Sequence, residues 1–195
     1  MTSDGSIFLQ RGFIPAKESN NLFIELRNEI KWRSDEIRMF GRTIPIPRLN
    51  AWYGDEGCSY SYSGIKLDPL PWTETLKNLR NRVAEAAEES FNSALLNLYR
   101  DGSDSNGWHA DDEPELGEQP VIASLSLGAT RLFKMKRRDG LEKISLELAN
   151  GDLLIMNGDT QSFWLHQIPK VAREIEERIN LTFRKVAMTT VNHKK

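Results

Sequence analysis

The spacing of apolar residues switches from helical to alternating near Ala94, and the switch divides the chain into two kinds of structure. Before it, Leu22, Phe23, Leu26 and Ile30 recur at helical spacing behind Pro15. That pattern predicts an amphipathic helix from Ala16 to Ile30. Trp72, Leu76, Leu79, Val83 and Ala87 form one apolar stripe, while Asn78, Arg82, Glu85 and Glu89 face away. A second helix from Trp72 to Phe91 follows from this. The first ten residues read as a short, loosely held lead-in. From Met39 to Gly64, Pro45, Pro47 and four glycines predict turns and short edge strands.

After Ala94 the period is two. Leu95–Tyr99, Val121–Leu127, Arg131–Arg137, Ile144–Leu148, Asp152–Met156 and Ile179–Val186 read as strands, with Phe163–Gln167 a shorter candidate. Asp101-Gly102, Asn106-Gly107, Leu127-Gly128, Asp139-Gly140, Asn150-Gly151 and Asn157-Gly158 supply turn signals between them. Helices followed by many short strands predict one compact α+β domain, with residues 1–92 packed on a core of residues 93–195. A double-stranded β-helix of the jelly-roll or cupin type closes such strands around a ligand pocket.

Composition narrows the class only a little. The chain has 195 residues, 39% hydrophobic and 28% charged, enough for one domain with a sizeable core. A formal net charge of −2 counts against a protein that merely coats nucleic acid. The single cysteine, Cys58, excludes an internal disulfide framework and fits a reducing compartment. No apolar run is long enough to span a membrane, and no signal-peptide pattern opens the chain. The expectation is a monomer without a membrane partner, in the cytoplasm or, in a eukaryote, the nucleus.

The chemistry sits in the second half. His109 and Asp111 form an H-x-D pair, and His166 is a third candidate ligand. Two neutral imidazoles and one carboxylate on one face of a metal suit non-haem Fe(II) and leave positions open for a co-substrate and O2. Arg178, Asn180, Thr182 and Arg184 alternate with Ile179, Leu181, Phe183 and Lys185, so they share one face of a strand. Two inward guanidinium groups need an anion, which suggests a bound dicarboxylate. Asn97 and Tyr99 share a face of another strand and suit a small polar ligand. Each feature alone has a plainer account. A histidine such as His193 is ordinarily a surface or core residue, Asp111 heads the acidic run Asp111-Asp112-Glu113, and the arginines suit surface ion pairs. Their joint occurrence in this order favours the metal site.

The segments Asn97-Leu98-Tyr99-Arg100-Asp101-Gly102, Trp108-His109-Ala110-Asp111-Asp112-Glu113, Ala123–Ala129 and Arg178–Arg184 resemble the AlkB family. Pro47-Arg48, Tyr53-Gly54-Asp55 and Tyr60–Gly64 resemble its subgroup that repairs double-stranded DNA, so the likeness covers about residues 38–186. The resemblance implies an Fe(II)/2-oxoglutarate dioxygenase in which His109, Asp111 and His166 hold iron. It implies that Arg184 pairs with the distal carboxylate of 2-oxoglutarate, while Asn97, Tyr99, Arg178, Asn180 and Thr182 line the same site. In a nucleotide-recognition region, Asp112 contacts the exocyclic nitrogen of the damaged base and Tyr60, Ser61 and Tyr62 line the base pocket. Phe40, with Met39, Gly41 and Arg42, falls where duplex-acting members carry a finger that fills the gap left by a flipped base.

The implied reaction consumes 2-oxoglutarate and O2, hydroxylates an N-methyl group and releases formaldehyde from the resulting hemiaminal. A methyl group on a Watson–Crick nitrogen lies inside the duplex, so the base must be flipped or already unpaired. The expected substrates are 1-methyladenine and 3-methylcytosine in DNA. RNA demethylation, protein hydroxylation or demethylation, and non-catalytic nucleic-acid binding are the alternatives. Arg38, Arg42, Arg48, Lys134, Lys136, Arg137 and Arg138 are candidates for the phosphate contacts.

Overall fold

The computed structural model describes residues 5–39, 42–58, 60–62, 65–67 and 69–187. The N-terminal part contains β1 (Ser6–Gln10), α1 (Ala16–Glu29), β2 (Glu36–Met39), β3 (Arg42–Pro45), β4 (Leu49–Gly54), β5 (Tyr60–Tyr62), β6 (Ile65–Leu67) and α2 (Glu74–Ala87). Then come β7 (Ser93–Tyr99), β8 (Asn106–His109), β9 (Ile122–Gly128), β10 (Arg131–Arg137) and β11 (Lys143–Leu148). The chain continues through β12 (Leu153–Asn157), α3 (Thr160–Phe163), β13 (Trp164–Ile168) and β14 (Arg178–Arg184).

Two antiparallel sheets face each other as in a jelly roll. One runs β1-β12-β9-β14-β7-β4 and the other β11-β10-β13-β8. Strands from both sides of residue 92 share the larger sheet. Its outer face carries Leu96, Leu98, Leu125, Ile179, Leu181 and Phe183, packed beneath Leu26 of α1 and Leu76, Leu79 and Val83 of α2. Each such buried side chain contributes roughly 1.5–3 kcal/mol. Between the sheets, Leu95, Tyr99, Leu154 and Met156 meet Phe133, Met135, Trp164 and Ile168. β7 and β14 are therefore buried on both faces, and their inward positions are where polar side chains gather.

Most predicted elements form within a few residues of their expected ends. The second helix is shorter than its apolar stripe. Thr73 Oγ1 accepts from Leu76 N and caps its start, and Glu88 in the left-handed region, φ 51°, ends it. Two expectations fail. The lead-in is β1, whose apolar residues find an edge to complete by pairing with β12. Asn106-Gly107 is not a turn but the start of β8, opposite β13.

One glycine joins helix to barrel. Gly151 has φ 84°, and its carbonyl accepts from Ile14 N just before α1. An added Cβ would lie 2.1 Å from the Ile14 carbonyl oxygen. Gly151→Ala is expected to cost about 2–3 kcal/mol, from strain plus displacement of α1. Urea unfolding checks this, and an unchanged midpoint would show that the junction yields freely. Among the described residues, no helix is long and apolar enough to cross a membrane.

Candidate active site

The smaller sheet brings the three candidate ligands together. His109 on β8 pairs in register with His166 on β13, and their ring centroids lie 4.2 Å apart. Asp111 follows β8 by two residues, and one donor atom from each of the three lies within 4.8 Å of the others. Asp111 and His166 are buried, so the acidic run splits into a buried Asp111 and an exposed Asp112. Gln161 Oε1 accepts from the Asp111 amide at 3.0 Å and fixes the chain just beyond the sheet. Phe133 stacks on His166 at 5.3 Å and limits its rotation.

Protonation favours metal binding. Burial, reinforced by the neighbouring His109, pushes His166 down to about 3, and burial also lowers His109. Both imidazoles are neutral near pH 7. His109 Nδ1 lies 2.8 Å from the Gly107 carbonyl, which can only accept, so Nδ1 carries the proton and Nε2 keeps its lone pair. Asn106 Nδ2 lies 3.1 Å from that Nε2. His166 Nδ1 is buried without a hydrogen-bond partner among the described residues. Burial is the largest influence on the Asp111 carboxyl and pushes it upward, but Arg184 together with His166 and His109 holds the group below its ordinary value, ionised. A buried set of two neutral imidazoles and one carboxylate fits Fe(II).

The larger sheet supplies the opposite wall. Arg184 Nη2 lies 2.6 Å from Asp111 Oδ1, with both side chains almost fully buried. Thr182, Asn180 and Arg178 follow inward along β14, across from Leu95, Asn97 and Tyr99 of β7. Asn180 Nδ2 donates to Ser124 Oγ at 3.0 Å, and Arg178 Nη2 donates to Ser126 Oγ at 2.8 Å. Arg178 is completely buried, its guanidinium 5.3 Å from the Tyr99 ring centroid. Its Nε and Nη1 find no hydrogen-bond acceptor among the described residues. Burial lowers Arg178 to about 10, yet it remains a cation at pH 7. Together with the metal triad, Asn97, Tyr99, Asn180, Thr182 and Arg184 line one pocket between the sheets.

The remaining candidates separate. Arg48 is not a surface phosphate ligand. It is buried, donating from Nε to Asn97 Oδ1 at 2.8 Å and from Nη1 to the Ser105 carbonyl at 3.0 Å. Asp112 does not line the pocket between the sheets; it is exposed, in an ion pair with Arg138 at 2.6 Å. Tyr60, Ser61 and Tyr62 form β5, of which only the backbone is described, as is that of Arg42. Phe40, Gly41 and His193 lie outside the described residues.

Sequence reasoning missed three contributors. Gln161 and Asn106 are amides in segments read as turn or loop. Arg131 is fully buried, donating to the carbonyls of Asp101, Asp104 and Pro169 while lying 5.4 Å from the Tyr99 ring centroid. It ties the loop before β8 to the segment after β13. Its signal was its parity, since Arg131 falls in the same alternating set as the inward Phe133 and Met135.

The 2OG-Fe(II) oxygenase superfamily profile matches residues 6–184. The chain is 42% identical to the bovine (Bos taurus) alpha-ketoglutarate-dependent dioxygenase alkB homolog 3 over 95% of its own length and 68% of the relative's. It is 39% identical to the mouse (Mus musculus) DNA oxidative demethylase ALKBH2 over 88% of its length and 77% of the relative's. The solved structure of OsALKBH1 superposes with a TM-score of 0.66 at 19% identity, covering 95% of this chain and all of that one, which speaks to the fold. The His109–Asp111–His166 set fits Fe(II), and the profile match over residues 6–184 together with both relatives shows that the chain belongs to the AlkB family of 2OG-Fe(II) oxygenases.

Proposed function

We propose that this dioxygenase is a DNA oxidative demethylase acting on 1-methyladenine and 3-methylcytosine and releasing formaldehyde. The observation that carries the reading is the 39% identity to mouse ALKBH2, by name a DNA oxidative demethylase; the two methylated bases follow from the family resemblance. When bound, the iron supplies, with O2 and 2-oxoglutarate, the oxidation of an N-methyl group. The chain's own residues bind, orient and exclude water. His109 Nε2, Asp111 and His166 hold the metal. Arg184, beside Asp111, takes the keto-acid end of 2-oxoglutarate, which must approach the metal. Arg178, six residues along β14, takes the distal carboxylate, reversing the role that the family resemblance gave to Arg184. A guanidinium fork suits each planar carboxylate. Arg48 orients the Asn97 amide, while Tyr99, Asn180 and Thr182 shape the pocket between the two arginines.

Asp112 reads the base. Its ion pair with Arg138 is solvent-exposed and contributes no more than about 1 kcal/mol, so an exocyclic amine can compete for the carboxylate. Asp112→Ala is expected to keep iron binding and substrate-uncoupled turnover of 2-oxoglutarate while demethylation efficiency falls at least tenfold. Loss of iron in this variant would instead make Asp112 a metal ligand. For duplex substrates the proposal keeps Phe40, which lies outside the described residues, as the side chain that fills the gap left by a flipped base, as the family resemblance implies. The function is tested by formaldehyde release from methylated duplex DNA, single-stranded DNA and RNA supplied with iron and 2-oxoglutarate. Release from DNA is expected, and release from RNA alone would overturn the DNA assignment.

A further inference from the structure

We propose that the outer face of the four-stranded sheet is a docking strip for the single-stranded nucleic acid that flanks the base being processed. This rests on the nucleic-acid function proposed above. In β10, Phe133 and Met135 point between the sheets, so Lys134 and Lys136 point outward. Lys143 of β11 lies directly opposite Lys136 and is exposed. Like charges in that position destabilise a sheet. Glu147 shares this outer face opposite Leu132, but among the described residues the lysine ion pairs belong to Lys77 and Lys185, so none joins a carboxylate to Lys134, Lys136 or Lys143. On β8, His109 points inward, so its neighbour Trp108 points outward and is 39% exposed. Lys136 reaches across β13 and places Nζ 4.5 Å from the Trp108 ring centroid. The strip spans four strands, about 14 Å at roughly 4.8 Å per step.

An exposed indole among unneutralised ammonium groups matches the composition of a single-strand platform, where a base stacks and phosphates meet the lysines. An acidic peptide would satisfy the lysines but leave the indole without a counterpart. Position supports the same occupant, because Trp108 is one residue from a metal ligand. A strand delivering its base to that metal passes close to β8. Trp108 thus binds outside the pocket while its neighbour serves the chemistry inside it.

The test uses an unmethylated single-stranded DNA of about fifteen nucleotides, long enough for one such groove, followed by fluorescence anisotropy over a range of salt. Lys134→Glu, Lys136→Glu and Lys143→Glu combined are expected to flatten the log–log salt slope by about 2, at roughly 0.7 per phosphate contact. Trp108→Ala is expected to weaken binding about tenfold and Trp108→Phe to restore most of it. Formaldehyde release is then compared on a methylated trinucleotide and a long methylated strand. The charge-reversed protein is expected to raise KM for the long strand only. Wild-type binding and salt slope in the charge-reversed protein would overturn the strip, as would equal losses on short and long substrates. Absence of formaldehyde from every methylated nucleic acid with the wild-type protein would instead remove the function on which the strip rests.

Discussion

Asp111→Ala and His166→Ala should both abolish formaldehyde release with iron supplied, but only the first should severely weaken the fold. Asp111 is ion-paired with Arg184, and both side chains are almost fully buried. Removing the carboxylate leaves a cation in the barrel interior beside two imidazoles, a change that typically costs 3–5 kcal/mol. His166 is neutral and its Nδ1 makes no hydrogen bond among the described residues, so truncation loses packing against Phe133, roughly 1–2 kcal/mol. The ion pair thus gives Asp111 a structural weight that His166 lacks. Urea unfolding of the metal-free variants separates the cases. Equal stability for the two would mean that the Asp111–Arg184 pair contributes little, and full activity in either would remove the metal assignment.

Arg178→Met should raise the KM for 2-oxoglutarate by tenfold or more while leaving the metal-free protein as stable as wild type, or more so. Losing a charge-assisted hydrogen bond to a carboxylate costs about 1.5–3 kcal/mol. Stability should move the other way because Arg178 is completely buried with two nitrogens lacking acceptors among the described residues, so an apolar side chain of similar length relieves desolvation. Thermal shift on adding 2-oxoglutarate then shrinks from a higher baseline. An unchanged KM would place the distal carboxylate elsewhere, and a large stability loss would make Arg178 structural. Asp112→Ala, by contrast, touches neither the interior nor the metal, so its effect should appear with nucleic-acid substrate alone.

The parts of the site that were legible in the sequence are those written in strand alternation. Arg178, Asn180, Thr182 and Arg184 announce a polar face because β14 pairs on both sides without a register shift, and parity survives folding. His109, Asp111 and His166 were legible as residue types, while their convergence came from the pairing of β8 with β13. What stayed hidden depends on tertiary context. Arg48 and Arg131 look like surface cations in the chain. Their burial follows from Asn97 and the carbonyls of the 101–104 loop and Pro169, which no local pattern encodes. β1 was hidden because a five-residue strand next to the N-terminus gains its structure only from the edge of β12.

The two walls of the pocket differ in how firmly they are held. β14 is hydrogen-bonded along almost its whole length to both β7 and β9. β8 is a four-residue edge strand whose pairing with β13 shifts register between His166 and Ile168. Amide hydrogens on the co-substrate wall should exchange only through near-global unfolding, and those of β8 through local opening. Metal binding should therefore appear as newly protected amides at Gly107–His109, while 2-oxoglutarate enters against a wall whose protection is already at its ceiling. On the proposed assignment, rigidity is built in where the carboxylate is to bind, and the metal side is expected to gain its order on binding.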